Sequence, residues 1–104
     1  MTQSRRQYYR LRYPAGRRPA VWIEDGEYEL VELSEQGARI ACPDGPFEIG
    51  ATLTGAVLFS DGENVPFEGN VLRRENTELV IKIEIGITPR RVVAEQRLIA
   101  RQLN

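Results

Sequence analysis

From residue 20 onward the chain breaks into short apolar-rich runs, several of which alternate apolar and polar positions in part. That alternation is the period of a half-buried β-strand. Runs at residues 20–24, 27–33, 38–42, 51–59, 64–73 and 79–85 carry it, separated by turn chemistry. Asp25-Gly26 is a two-residue hairpin signal. Ser34-Glu35-Gln36-Gly37, Ser60-Asp61-Gly62-Glu63 and Glu75-Asn76-Thr77 read as further turns, and Pro43-Asp44-Gly45-Pro46 as a loop. Gly37 marks a positive φ or a close backbone approach. Gly69, inside a strand run, marks a bulge or a barrel corner.

At Pro89 the period lengthens. Thr88 is placed to cap a helix whose first residue is Pro89. Val92, Ile99 and Leu103 share one face of that helix, with Val93 and Leu98 beside it. The pattern therefore predicts a mainly all-β fold of six antiparallel strands. Closing them into a small barrel removes exposed strand edges, and the C-terminal α-helix packs on its outside. Trp22 is expected in the barrel core or between barrel and helix, and Cys42 as a small buried residue. Residues 1–19 do not alternate in this way. They read as a flexible basic arm with a helical turn around residues 6–11, and residues 20–104 as the barrel and helix of a single domain.

Charge sharpens this division. Six arginines fall within the first eighteen residues, and the first acid is Glu24. Residues 24–89 then hold fourteen acids against four bases. A basic arm on an acidic body suggests an anion held between the two. The formal net charge is −1, so a small anionic ligand fits better than a nucleic-acid polyanion. An OB-like single-strand binder would share the small barrel and the basic arm. Its phosphates, however, would meet negative strands. All the basic residues except Lys82 are arginine, whose planar fork suits phosphates and base edges. Arg90 and Arg91, in the first helical turn, read as a solvated terminus.

Composition excludes several chemistries. The chain has no histidine and a single cysteine. A zinc site and a Ser/His or Cys/His nucleophile are therefore close to excluded, and no enzymatic activity is expected. The lone Cys42 has no internal disulfide partner, which fits a reducing cytosol. No apolar run approaches the roughly 20 residues of a membrane span. The first residues, Met1-Thr2-Gln3-Ser4, lack a signal-peptide stretch, so a cytoplasmic location without membrane insertion is expected.

Two motifs carry the chemistry. Arg6-Gln7-Tyr8-Tyr9-Arg10 is an Arg-x-x-x-Arg pair with Arg5 directly in front, and Glu32-Leu33-Ser34-Glu35-Gln36-Gly37 follows downstream. Gly69-Asn70-Val71-Leu72-Arg73 is a third signature. In order and spacing these resemble the PilZ domain, a bacterial receptor module for cyclic di-GMP. That family pairs Arg-x-x-x-Arg with Asp/Asn-x-Ser-x-x-Gly, and has a later Gly-x-Val-x-Arg strand. The chain departs at one position: Glu32 stands where the family has Asp or Asn.

The resemblance implies a six-stranded antiparallel PilZ-type β-barrel that binds cyclic di-GMP, with no other cofactor and no metal. Arg6 and Arg10 would clasp bases and phosphates, while Glu32 and Ser34 would meet a guanine edge. Gly37 would allow close backbone approach, and Arg5 and Arg39 would add contacts. From the residues themselves, Tyr8, Tyr9 and Tyr13 could stack on bases, but anchoring the arm to the barrel is their expected role. The output implied is an altered surface for an unidentified protein partner in motility, exopolysaccharide (biofilm) or pilus control. The chain itself would be a monomer or weak homodimer. The competing implication is a PilZ-like protein–protein adaptor in which Glu32 abolishes nucleotide binding.

Overall fold

A computed structural model describes residues 10–43 and 45–103, with Gln102 and Leu103 described in backbone only. Its strands are β1 (Arg10–Arg12), β2 (Ala20–Ile23), β3 (Gly26–Ser34), β4 (Gly37–Ala41), β5 (Thr52–Leu58), β6 (Asn64–Glu75) and β7 (Glu78–Ile85). A 3-10 turn spans Ala15–Arg17, and helix α1 spans Pro89–Leu103. Every strand pairing is antiparallel. The order β3-β2-β5-β6-β7-β4 closes back onto β3, making a six-stranded barrel. β1 is a seventh strand, added to the Glu32–Ser34 end of β3 on the edge that β2 uses at the other end.

Alternation sets the core. Val21 and Ile23, Leu53 and Val57, Phe67 and Val71, and Leu79 and Ile81 point inward and are buried. Their neighbours in sequence point outward. Gly69 sits at a register shift against β7, the bulge its position signalled. Thr88 Oγ1 accepts a hydrogen bond from the Arg91 amide at 3.2 Å, capping α1 as expected. Val92 and Ile99 are buried on one face of α1, which packs over β1 and β3. Cys42 is fully buried. No helix among the described residues is long and apolar enough to cross a membrane.

Four expectations need correction. The helical turn around residues 6–11 is a β-strand where it is described. Arg10–Arg12 pairs with β3, because Leu11 and Tyr13 alternate inward and bury against the barrel and α1. The remainder, residues 6–9, lies outside the described residues. Trp22 is not in the core: 45% of its surface is exposed. Val21 and Ile23 take the inward positions, so parity places Trp22 outside, opposite Ala56. The first hairpin turns at Glu24-Asp25, one residue earlier than the Asp-Gly signal, with Glu24 at φ 55° and Gly26 already paired.

The fourth correction is Arg91, which is no solvated terminus. Its guanidinium lies over the Phe59 ring, 4.5 Å from the centroid. It pairs with Asp61 at 3.1 Å, with Glu95 at 3.4 Å, and with Glu63. Those carboxylates offset the unfavourable helix dipole at the first turn.

Candidate functional site

A β-bulge in β3 builds the site. Between Leu30 and Glu32 the register against β4 shifts by one residue. The shift turns Glu32 to the outer face while Leu30 and Leu33 both stay buried. Glu32 then lies directly across from Arg12 on β1 and from Arg39 on β4. The same row continues from Arg39 to Val80 on β7 and from Val80 to Arg73 on β6. Five strands thus contribute one outward side chain each.

Beside this row is a shallow pocket of about 190 Å³ lined by Arg10, Glu32, Ser34, Gly37, Arg39 and Arg73, with Gln36, Leu72 and Val80 among its other walls. A site that encloses a drug-sized ligand measures about 300–1,000 Å³. This pocket would cradle one part of a ligand resting on the sheet and leave the rest open to cover from elsewhere.

Charges interleave around it. Glu32 accepts a hydrogen bond from Arg12 Nη1 at 3.2 Å. Its other oxygen, Oε2, is 3.8 Å from Arg10 Nε and 3.9 Å from Arg39 Nε. Arg39 donates to Glu75 at 2.7 Å and to Glu78 at 3.5 Å. The Glu75 hydrogen bond first, and then the charges of Glu75, Glu32 and Glu78, raise the Arg39 pKa above its ordinary value. Glu75 also accepts from Arg73 Nε. Hydrogen bonds from Arg73 and then Arg39 pull its carboxyl from the ordinary 4.5 down to about 2. Glu78 reaches Arg12 Nη2 at 3.8 Å. Four guanidiniums therefore face three carboxylates here.

Ser34 and Gly37 have local work. Ser34 Oγ accepts from the Gln36 and Gly37 amides at 3.3 and 3.2 Å, fixing the turn from β3 to β4. Gly37 does not adopt a positive φ. Its backbone approaches β7 so closely that a Cβ would lie 2.5 Å from the Ile81 carbonyl oxygen. The Gln36 carbonyl accepts from the Ile83 amide at 3.0 Å, tying the turn to the same strand.

The structure thus gathers Arg10, Glu32, Ser34, Gly37 and Arg39 around one pocket. Arg5 and Arg6 lie outside the described residues, as do Tyr8 and Tyr9. Tyr13 anchors the chain as expected: it is buried, and its hydroxyl donates to Glu95 at 2.7 Å. Arg12, Arg73, Glu75 and Glu78 were not singled out as site residues. Arg73 ends the Gly-x-Val-x-Arg signature, which places it at the pocket. Arg12 shares the parity of Arg10, a signal that becomes usable once residues 10–12 are known to be a strand.

The family profile of the PilZ domain matches residues 4–101. The chain belongs to the PilZ domain family. No protein in the curated set matches it. Membership carries the family's character as cyclic di-GMP-binding signalling domains. In this PilZ domain the second motif, Glu32 to Gly37, runs from the end of β3 through the turn into β4, and the last motif arginine, Arg10, opens β1. Both therefore meet on the same outer face, with Arg10 directly opposite Ser34.

Proposed function

We propose that this PilZ domain is a non-catalytic receptor for cyclic di-GMP that signals by ordering its N-terminal arm over ligand on the barrel surface. The observation that carries the reading is the convergence of Arg10, Glu32, Ser34 and Arg39 on one open pocket. Cyclic di-GMP presents two phosphates and two guanines. A guanine offers O6 and N7 to an arginine fork and N1–H and N2–H to a carboxylate, and arginine planes stack on bases. Arg10, with 73% of its side chain exposed, presents such a fork beside the pocket. Arg5 and Arg6 of the motif supply further cations in this reading, from residues 1–19 as the arm. Leu72 and Val80 offer apolar surface for a base. The affinity required is modest: micromolar binding corresponds to about −8 kcal/mol, against roughly 2–5 kcal/mol spent on ordering a segment. Arm closure would change the surface offered to a protein partner in the cytoplasm.

Titration calorimetry with cyclic di-GMP, with GTP and cyclic AMP as controls, tests this directly. Micromolar uptake of the cyclic dinucleotide alone is expected, abolished by Arg6→Ala or Arg10→Ala with the fold intact. Unchanged affinity in both variants overturns the assignment. Ligand should also protect amides of residues 4–9, ahead of the already paired β1, from hydrogen exchange, and equal protection with and without nucleotide removes the ordering mechanism.

One observation favours a second reading. Glu32 keeps only 15% of its side chain exposed and is surrounded by Arg10, Arg12 and Arg39. A carboxylate so occupied takes the place of a ligand anion, as expected of an adaptor that has given up nucleotide. Absence of binding in the same titration selects this reading.

A further inference from the structure

Glu32 is an internal rival to any anion bound at Arg10, and the geometry shows what restrains it. Its Oε1 is held by Arg12, directly opposite on β1, at 3.2 Å. Its Oε2 stands 3.8 Å from Arg10 Nε, outside hydrogen-bond range. Arg39 is committed to Glu75 and Glu78 and Arg73 to Glu75. Among the described site arginines, Arg10 is therefore the one with no hydrogen bond to a carboxylate. Leu11 points inward between the two, so Arg10 and Arg12 project from the same face of β1. Either can reach Glu32, and Arg12 has taken it.

We propose that Arg12 is a positioning residue: it draws the Glu32 carboxylate off Arg10 and so leaves Arg10 open to a phosphate. The inference rests on the receptor reading for the identity of the ligand, but its physical content concerns any phosphate anion. With Arg12 truncated, Oε1 loses its donor. A shift of under about 1 Å then brings Glu32 into hydrogen bond with Arg10. The incoming anion must displace a protein carboxylate at close range. This chain carries Glu where a shorter acid or amide is the family pattern, and the longer side chain ends on Arg12.

The test compares wild type, Arg12→Ala, Arg12→Lys and the double variant Arg12→Ala/Glu32→Gln. Each is titrated at one fixed salt concentration with cyclic di-GMP and, separately, with inorganic pyrophosphate. Circular dichroism checks that each variant is folded. Arg12→Ala should bind about tenfold more weakly, Arg12→Lys should stay near wild type, and the double variant should regain most of the loss. Glu32→Gln alone is titrated alongside, because removing a carboxylate 3.8 Å from Arg10 favours any anion. If Arg12 positions Glu32, losing Arg12 costs much less in the Glu32→Gln background than in wild type. If Arg12 merely touched the ligand, its loss would cost the same in both backgrounds, and that result overturns the inference while the receptor reading stands. Wild-type affinity in Arg12→Ala overturns it too. If pyrophosphate shows the expected order and cyclic di-GMP binds no variant, the receptor reading falls and the inference stands. If neither anion binds any variant, both fall.

Discussion

The Tyr13 hydroxyl donates to the Glu95 carboxylate at 2.7 Å, joining the strand that carries Arg10 to the helix that covers the barrel. Glu95 is 2% exposed, the one charged residue buried among the core positions described. A carboxylate there is tolerable because Tyr13 and Arg91 both reach it. Tyr13 lies three positions after Arg10, so the exposed guanidinium and the phenol fixed to α1 share one short stretch of chain.

Tyr13→Phe removes the hydrogen-bond donor and keeps the ring. It should lower stability by about 2 kcal/mol in urea unfolding. Burial first, and then the hydrogen bond to Glu95, push the Tyr13 phenol above its ordinary pKa of 10.0. The folded chain holds a proton that the unfolded chain releases near that pH. This contribution is complete below about pH 10 and fades as the pH climbs above it. Stability measured from pH 9 upward should therefore decline more gently in Tyr13→Phe than in wild type.

Arg91→Ala should cost more, about 3 kcal/mol, because it strips a buried carboxylate of its cation and uncovers Phe59. Arg90, exposed on the neighbouring helix position, is the control, and Arg90→Ala should leave the denaturation midpoint unchanged. Equal effects from the two substitutions would refute the buried role of Arg91.

Gly37→Ala should destabilise the seam between β4 and β7 by about 1–3 kcal/mol, since the new methyl collides with backbone and no side chain can yield to it. A ligand-site variant should behave otherwise. Arg10→Ala, with its side chain largely in solvent, should unfold at the wild-type urea concentration. Comparing the two midpoints separates the structural role of the motif glycine from the binding role of the arginine.

Glu75 supplies an acid-side signature. Its carboxyl is pulled down to about 2 by Arg73 and Arg39. A depressed carboxylate stabilises the fold above its unfolded value of 4.5, and that contribution is lost as pH falls from there toward 2. Glu75→Gln should flatten this stretch of the stability curve. An unchanged slope between pH 4.5 and 2 would show that the Arg39 cluster does not retain its charge-assisted bonds in solution.

Much of this was legible in the chain because alternation is a strong signal when each strand buries one face. The barrel, the Gly69 bulge and the Thr88 cap all followed from period and turn chemistry. The failures share a physical cause. Trp22 was assigned by size, whereas its neighbours Val21 and Ile23 fix its parity and send it outward. Strand β1 was missed because three residues flanked by arginines carry too little apolar content, although Leu11 and Tyr13 alternate correctly. The site suffered most from that omission. The motif residues were found by type and spacing, but Arg12 becomes a partner of Glu32 only through the β1–β3 register. Arg91 was misjudged because its three acids come from a distant hairpin and from the next helical turn.

Because the row from Arg12 to Arg73 sits wholly on outward positions of a closed cylinder, its side chains can change without touching the residues that fill the interior. Substitutions there can recast the charge pattern of the outer face without loosening the hydrocarbon interior. In such a barrel the alternate letters of each strand are open to change while the skeleton beneath is kept.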